Sequence, residues 1–287
     1  MNPSFPVWLW PLVDELSQVP GVVGVVLGGS RARGESKPDS DIDVGIFYQK
    51  QDFAWEEVAR IATQHDDHGQ SKGLGSPGEW GLWMNGGAWI RKEGTPVDLL
   101  LRDYAFVQQI IEECQRGQFS SHYQIGHPHG WHSYMLMGEV HFNVPLRDPT
   151  NKLRALHAQT LAYPKALQEA ICNKFLWEAR FTGGLLEKLK ERDDPYALGG
   201  LALRFCSTLV QVLFALHETY YLNEKGALAS LRSFVHLPKD SSKRLETWMR
   251  GVPDVEGREV WLKSMEALLT ETEELCRLVL RDAMRET

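Results

Sequence analysis

The sequence predicts an α+β fold, with a mixed sheet and flanking helices in residues 1–145 and an all-helical bundle in residues 146–287. In the first part, short runs rich in β-branched residues alternate with glycine-containing turns. From Thr150 onward, apolar residues instead recur with the 3.6-residue period of helices. The segment Pro145–Pro149, with a proline at each end, marks the predicted boundary between the two domains.

Hydrophobic spacing predicts the elements of the first part. Apolar residues recur at helical spacing up to Leu16, so the first helix ends near Gln18, before Pro20-Gly21. The further predicted elements are a strand from Val22 to Leu27, a short helix or turn from Arg31 to Gly34, a strand from Asp41 to Phe47 (antiparallel to the first or mixed), a helix from Ala54 to His65, a loop from His65 to Gly78, a strand, turn and strand from Trp80 to Ile90, a strand from Pro96 to Leu101, a helix from Asp103 to Gln115, and an irregular segment from Phe119 to Asn143.

The second part is predicted to be helical throughout. Its predicted helices are one marked by Leu153, Leu156 and Leu161, one from Pro164 to Leu189, one that Asp194-Pro195 caps and that continues to Leu216, and, after an interruption at Tyr220 to Gly226, further helices that end with one from about Glu259 to Met284. Proline is favoured in the first turn of a helix, where its missing N–H costs nothing, which fixes two of these starts.

Composition excludes several classes of protein. The formal net charge is −7 and no basic run stands out, so a nucleic-acid partner is not favoured. The four cysteines form no CxxC pair and are expected to be reduced, buried thiols in a cytoplasmic protein. No apolar stretch has the length of a membrane span and the N-terminus lacks a signal-peptide pattern, so we expect no membrane association. Composition does not fix the oligomeric state.

One stretch carries a recognisable chemistry. The first strand ends at Gly28-Gly29-Ser30, and the second begins with Asp41 and Asp43, two residues apart. Side chains at i and i+2 of a strand project from the same face, so the two carboxylates lie together. Like charges in contact cost stability unless a cation lies between them, and carboxylate oxygens are ligands for Mg²⁺. The glycine turn before a helix start leaves backbone N–H groups free for phosphate oxygens.

This pattern also resembles a known signature. Gly28-Gly29-Ser30, ten further residues, and then Asp-Ile-Asp-Val at 41–44 resemble the motif of the DNA polymerase β-like nucleotidyltransferase superfamily, which includes the aminoglycoside and lincosamide nucleotidyltransferases. The resemblance implies a nucleotidyltransferase domain in residues 1–145 and a helical domain in 146–287 that clamps substrate and nucleotide. The motif itself spans only about residues 20–101.

The resemblance implies roles for further residues. Asp98 would be the third carboxylate, which completes the metal site or acts as base; an ion pair of Asp98 with Arg102 or Arg91 is the alternative. Gly28, Gly29, Ser30 and Ser40 would bind the nucleotide, although Ser40 equally fits a loop end. Lys225 would reach the β- and γ-phosphates from the helical domain, with Lys174 and Arg180 as weaker candidates and a solvated lysine as the alternative.

Two other segments leave alternatives open. The tryptophans Trp80, Trp83 and Trp89 precede Asp98 and serve either the core or the stacking of a base or sugar ring. The segment from Gly126 to Trp131 contains closely spaced histidines and is interpreted as a loop with glycine hinges in preference to a zinc site.

Together these residues predict an Mg²⁺-dependent nucleotidyltransferase, with Asp41, Asp43 and Asp98 as ligands for one or two ions. Its expected substrates are a nucleoside triphosphate, ATP as donor of AMP, and a small-molecule acceptor hydroxyl, for which the resemblance suggests an antibiotic. A protein AMP-transferase of antitoxin type and a non-catalytic nucleotide sensor are the alternative functions.

Overall fold

The computed structural model describes residues 6–283, with side chains up to residue 280. The chain divides into two compact units, each built from two segments. The sheet unit comprises Met1–Glu112 and Leu136–Ala162, and the helical unit comprises Glu113–Met135 and Tyr163–Thr287. The sequence instead places one boundary at residue 145, and that domain division stays a prediction. Residues 1–5 and 284–287 of the predicted domains, with the predicted helix end at Met284, lie outside the described residues.

The helices and strands follow each other in an α+β order. Up to residue 115 they are α1 (Leu9–Gln18), β1 (Val22–Leu27), α2 (Gly29–Ala32), β2 (Ile42–Tyr48), a 3₁₀ turn (Lys50–Asp52), α3 (Trp55–His65), β3 (Lys72–Gly75), α4 (Gly81–Met84), β4 (Gly87–Lys92), β5 (Thr95–Asp103) and α5 (Tyr104–Gln115). The remaining elements are β6 (Ser121–His122), β7 (Trp131–His132), α6 (Tyr134–Phe142), β8 (Val144–Arg147), α7 (Lys152–Ala158), α8 (Lys165–Lys188), α9 (Pro195–Leu216), α10 (Ala227–Leu231), α11 (Ser241–Met249) and α12 (Val255–Ala283).

A six-stranded mixed sheet organises the sheet unit, in the order β3-β4-β5-β2-β1-β8. Strands β2 and β5 run parallel, and β1 pairs with β2 antiparallel, as the sequence predicts. One face of the sheet forms the core with α1 and α3, and the residues that β2, β4 and β5 contribute to it are Ile42, Val44, Ile46, Ala88, Ile90, Val97, Leu99 and Leu101. The residues between them in these strands point to the opposite face, since strand side chains alternate.

Three local predictions of secondary structure are wrong. Trp80 to Met84 contains the helical turn α4 instead of a strand, and the predicted loop contains the strand β3. The predicted irregular segment contains α6, whose first four residues, from Tyr134 to Met137, are all buried. A helix that is apolar all round has no polar face, so its 3.6-residue period does not show in the sequence.

The helical unit is built around α8 and α9, with a two-stranded β6–β7 hairpin. Asp194 Oδ1 accepts a hydrogen bond from the backbone N–H of Ala197 at 3.0 Å, which confirms the predicted cap before Pro195. By length and composition, α9 is a candidate membrane span with a mean hydropathy of 1.6, contrary to the prediction that no stretch reaches that length. However, 67% of the apolar stretch of α9 is buried inside the protein. The core helix of a soluble protein has the same length and composition, so these two properties do not indicate a membrane span.

Candidate active site

Three carboxylates converge on the face of the sheet opposite the core. Asp43 on β2 and Asp98 on β5 are register partners in the parallel pair, and Asp41 immediately precedes β2. One carboxylate oxygen from each of the three lies within 4.8 Å of the others. Among the side chains that the structure describes, up to residue 280, this is the only group of three or more His, Cys, Asp or Glu with such spacing. The structure therefore brings together the three acids that the sequence singles out.

The turn after β1 packs directly against Asp43. The backbone N–H of Gly28 donates to the Asp43 carbonyl at 2.8 Å. Gly29 has a φ of +61°, and a β-carbon at this position would lie 1.7 Å from Asp43 Oδ2. Only glycine fits here, because both the left-handed backbone and the close approach exclude a side chain. Ser30 follows in the single turn of α2 and is partly exposed.

The loop between the turn and the acids is held by its own polar groups. Arg31 donates from Nε to the Asp41 carbonyl at 2.9 Å and from Nη2 to the Ser40 carbonyl at 2.6 Å. Arg33 pairs with Glu35 at 2.8 Å. Ser40 Oγ accepts a hydrogen bond from the backbone N–H of Lys37 at 2.9 Å, so its hydroxyl closes the loop. The nucleotide-binding role of Ser40 stays a prediction.

Residues 9–115, which contain the glycine turn and all three carboxylates, match the family described as nucleotidyltransferase domain. Residues 9–115 therefore form a nucleotidyltransferase domain. Residues 135–226 match a second family, a domain of unknown function named DUF4037. The resemblance to the nucleotidyltransferase superfamily is thereby confirmed for the first part of the chain.

Comparison of whole proteins adds a distant likeness. No curated protein sequence matches the chain. Among solved structures, the chain is similar to a nucleotidyltransferase-like protein from Exiguobacterium sibiricum 255-15, with 13% identity and a TM-score of 0.47 over 97% of this chain and 79% of that one. At that identity and TM-score, the likeness says nothing about the substrates of this chain.

The electrostatics of the nucleotidyltransferase domain fit a cation at the carboxylates. Burial, and then the charges of Asp41, Asp98 and Glu139, raise the pKa of Asp43 to about 6, against a smaller lowering by Arg33. Burial and the charge of Asp41 raise the pKa of Asp98 to about 6 as well. Each shift reports a carboxylate whose charge lacks compensation. Three clustered oxygen ligands with excess negative charge are the donor set that a hard divalent cation prefers.

The alternative partners of Asp98 are engaged elsewhere. Arg102 donates from Nε and Nη2 to the two carboxylate oxygens of Glu139, at 2.8 and 3.0 Å. Arg91 donates to the carbonyl of Gly94 at 2.5 Å. The structure thus contradicts an ion pair of Asp98 with either arginine.

Glu139 is a site residue that sequence reasoning missed. It lies on α6, and its charge is one of the causes that raise the pKa of Asp43. The sequence contains a pattern that could have identified Glu139, because it is the only charged residue in an otherwise apolar run, like Asp98 in its strand. A carboxylate in such a run needs a partner, and here the partner is Arg102, which is 5% exposed.

Lys225 lies in the helical unit, where it is exposed and its backbone N–H donates to Asn223 Oδ1 at 2.9 Å. Its role toward phosphates stays a prediction. The two weaker candidates have partners in the same unit: Lys174 donates to Ser121 Oγ at 2.7 Å, and Arg180 pairs with Glu273 at 2.5 Å.

The histidine loop is held by carboxylates of the helical unit. His127 lies 3.6 Å from Glu224, and His129 lies 3.5 Å from Glu178. No three histidines of the described residues converge at metal-ligand spacing, which favours the loop interpretation over zinc. Gly126 and Gly130 have φ values of +90° and +108°, as expected of turn glycines.

Among the three tryptophans, only Trp83 is assigned to the core by its burial, and a stacking role of Trp80 and Trp89 stays a prediction. Trp83 is 5% exposed and packs on Phe106, with ring centroids 5.5 Å apart, so it belongs to the core. Trp80 and Trp89 are stacked, with ring centroids 5.0 Å apart, and Trp89 is 49% exposed.

Proposed function

We propose that the protein transfers AMP from ATP to a hydroxyl group of a small molecule and releases pyrophosphate, with Mg²⁺ as its metal. The observation that carries this proposal is the convergence of Asp41, Asp43 and Asp98 within 4.8 Å beside a glycine turn in a nucleotidyltransferase domain. A divalent cation at such a site supplies positive charge against the triphosphate and orients it.

Each residue of the site has a proposed task. Asp41 and Asp43 hold the metal, and the backbone N–H groups of the Gly28–Ser30 turn bind phosphate oxygens. Asp98 accepts the proton of the acceptor hydroxyl, for which a pKa of about 6 leaves it ionised at neutral pH yet more basic than an ordinary aspartate. The acceptor oxygen then bonds to the α-phosphorus while the bond to pyrophosphate breaks. Positioning and charge supply most of the rate.

The acceptor is proposed to be small, with an antibiotic as one candidate from the family resemblance. The net charge of −7 supports a neutral or cationic small molecule over a nucleic acid. The four cysteines are free and buried, which supports the proposed cytoplasmic location.

Pyrophosphate release tests the proposal directly. The purified protein is offered each nucleoside triphosphate with a panel of acceptor hydroxyls, with and without Mg²⁺. We expect release that needs both Mg²⁺ and an acceptor, and that falls at least about 100-fold in Asp43→Asn and in Asp98→Asn. Asp39→Asn, which removes an exposed acid from the same loop, is the matched control and stays near the wild-type rate.

The same samples separate the alternatives. Binding of ATP–Mg²⁺ with no release toward any acceptor would favour a nucleotide sensor. AMP incorporation into added protein, with none into small molecules, would favour the protein AMP-transferase. If neither nucleotide nor Mg²⁺ raises the melting temperature, the proposed function is wrong, since ligand at ~100 times its Kd stabilises by ~2.7 kcal/mol.

Lys225 is proposed to bind the β- and γ-phosphates. Lys225→Met should then raise the KM for ATP several-fold with little change in the KM for the acceptor. Lys239→Met, which removes another exposed lysine of the helical unit, is the control. Equal KM values for ATP in the two variants would remove Lys225 from the site.

A further inference from the structure

One row of side chains crosses four strands of the sheet at the level of the carboxylates. Asp43 is the register partner of Asp98, Asp98 is the partner of Trp89, and Trp89 is the partner of Lys72. Register partners in neighbouring strands project from the same face, about 5 Å apart at the β-carbons. The indole of Trp89 therefore rises from the sheet directly beside Asp98, on the face opposite the core.

The indole is held in a fixed position by its neighbours. A β-carbon at Gly73 would lie 2.0 Å from Cε3 and 2.3 Å from Cζ3 of Trp89. The six-membered ring of the indole therefore packs directly against the backbone of Gly73, where no side chain would fit. Trp80 stacks on Trp89 at 5.0 Å with an interplanar angle of 19°, and its own edge packs on Gly75 in the same way. Gly73 and Gly75 of the edge strand β3 thus form the surface against which the stacked indoles of Trp89 and Trp80 pack.

Core packing does not explain this arrangement. Trp83, three residues after Trp80, is 5% exposed, whereas Trp89 is 49% exposed although one of its faces is stacked and one edge is packed. An indole that stays exposed does not contribute the free energy that burial of its apolar surface would give. A rigid, exposed indole beside the carboxylates is instead a surface on which a flat ring can stack.

The order of the strands separates two sides of the carboxylates. The glycine turn Gly28–Ser30 follows β1, on one side of β2, while β5 and β4 lie on the other. Strands are about 4.8 Å apart, so Trp89 lies about 14 Å from β1 measured across the sheet. The turn that is proposed to bind the triphosphate and Trp89 thus lie on opposite sides of Asp43, and Asp98, the proposed base, is on the side of Trp89.

From this geometry we propose that Trp89, supported by Trp80, is the stacking surface for the acceptor, and that the acceptor carries its reacting hydroxyl on a ring. The inference rests on the proposed function and deepens it by naming the acceptor class. A ring with a flat apolar face, either a sugar or an aromatic ring, stacks on the indole and turns its hydroxyl toward Asp98. Open-chain alcohols have no such face and are poor acceptors.

The test separates acceptor binding from nucleotide binding. Three variants are compared with the wild type: Trp89→Ala, Trp89→Phe, and the control Trp177→Ala. Trp177 is 66% exposed and stacks on Phe181 at 5.5 Å, so its loss also removes one exposed, stacked indole. Affinity for the non-hydrolysable analogue α,β-methylene-ATP with Mg²⁺ is measured by calorimetry, and acceptor KM and kcat by pyrophosphate release.

We expect Trp89→Ala to raise the KM of a ring acceptor about tenfold, which corresponds to about 1.4 kcal/mol, and to leave the Kd of the nucleotide analogue unchanged. Trp89→Phe keeps a ring and should recover most of the affinity, and Trp177→Ala should match the wild type. A rise in the analogue's Kd with an unchanged acceptor KM would overturn the inference, because the indole would then stack the nucleotide base.

A second experiment measures the binding of acceptor-like probes at Trp89 by NMR and does not depend on catalytic turnover. The protein is labelled with ¹⁵N at its tryptophans, and the indole N–H signal of Trp89 is assigned by its loss in Trp89→Phe. Inositol and methyl glucoside, as ring probes, should shift this signal, and sorbitol should not. Equal responses to ring and open-chain probes, or none, would overturn the inference. If the analogue itself does not bind the wild type, the proposed function fails instead.

Discussion

Gly29 and Asp43 lie so close together that a β-carbon on Gly29 would come within 1.7 Å of the Asp43 carboxylate. The turn that is proposed to bind phosphate therefore also fixes the position of a proposed metal ligand. This contact couples two parts of the motif that are fourteen residues apart in the sequence.

Replacing Gly29 by alanine should displace Asp43, because the new methyl group and the carboxylate cannot occupy the same space. We expect at least about a 100-fold loss of pyrophosphate release. Gly34→Ala is the matched control: Gly34 also has a positive φ, +71°, but a β-carbon there would meet nothing within 4 Å. Similar losses in the two variants would mean that backbone strain, and not contact with Asp43, is responsible.

Asp43→Asn should stabilise the metal-free protein at neutral pH. The folded-state pKa of Asp43 is about 6, above its ordinary value of 3.8, so between these values the folded state binds more protons than the unfolded state. Stability therefore falls as the pH rises from about 4 to about 6, and asparagine removes this loss. We expect a gain of about 1–2 kcal/mol in the free energy of unfolding at pH ~7 and little change at pH ~4, measured by urea unfolding.

Activity should fall below about pH 6, because Asp43 and Asp98 then become protonated and lose metal and base function. Metal and protons compete for the same oxygens, so a higher Mg²⁺ concentration should move the acid limb of the kcat/KM profile to lower pH. The check is the profile at low and at high Mg²⁺. An acid limb that does not respond to Mg²⁺ would indicate that the titrating group is not a metal ligand.

Glu139→Gln should act on stability and on the pH profile at once. It removes the charge that compensates Arg102, which is 5% exposed, so we expect unfolding in urea to become easier by about 2–4 kcal/mol. It also removes one negative charge that raises the pKa of Asp43, so the acid limb should shift to lower pH. Glu57→Gln, which breaks the exposed pair with Arg60, is the control and should change neither measurement. An unchanged acid limb in Glu139→Gln would restrict Glu139 to a structural role.

The sequence was sufficient wherever the information is local. A glycine turn, two acids at i and i+2 of a strand, and a carboxylate in an apolar run are short-range patterns, and the structure brings Asp41, Asp43 and Asp98 together as they indicate. The mixed sheet and most helices were predicted for the same reason, because periodicity and caps are properties of a few consecutive residues.

Tertiary structure decided everything that depends on partners far apart in the chain. The mostly apolar helix α6 shows no helical period in the sequence, so the pairing of its Glu139 with Arg102 appeared only in the fold. Register across β2, β5 and β4 placed Trp89 beside Asp98, whereas the sequence alone could not separate an exposed indole from a buried one. Side-chain burial and strand register are set by long-range packing, and a single sequence records them only as a pattern of hydrophobic residues that several arrangements satisfy.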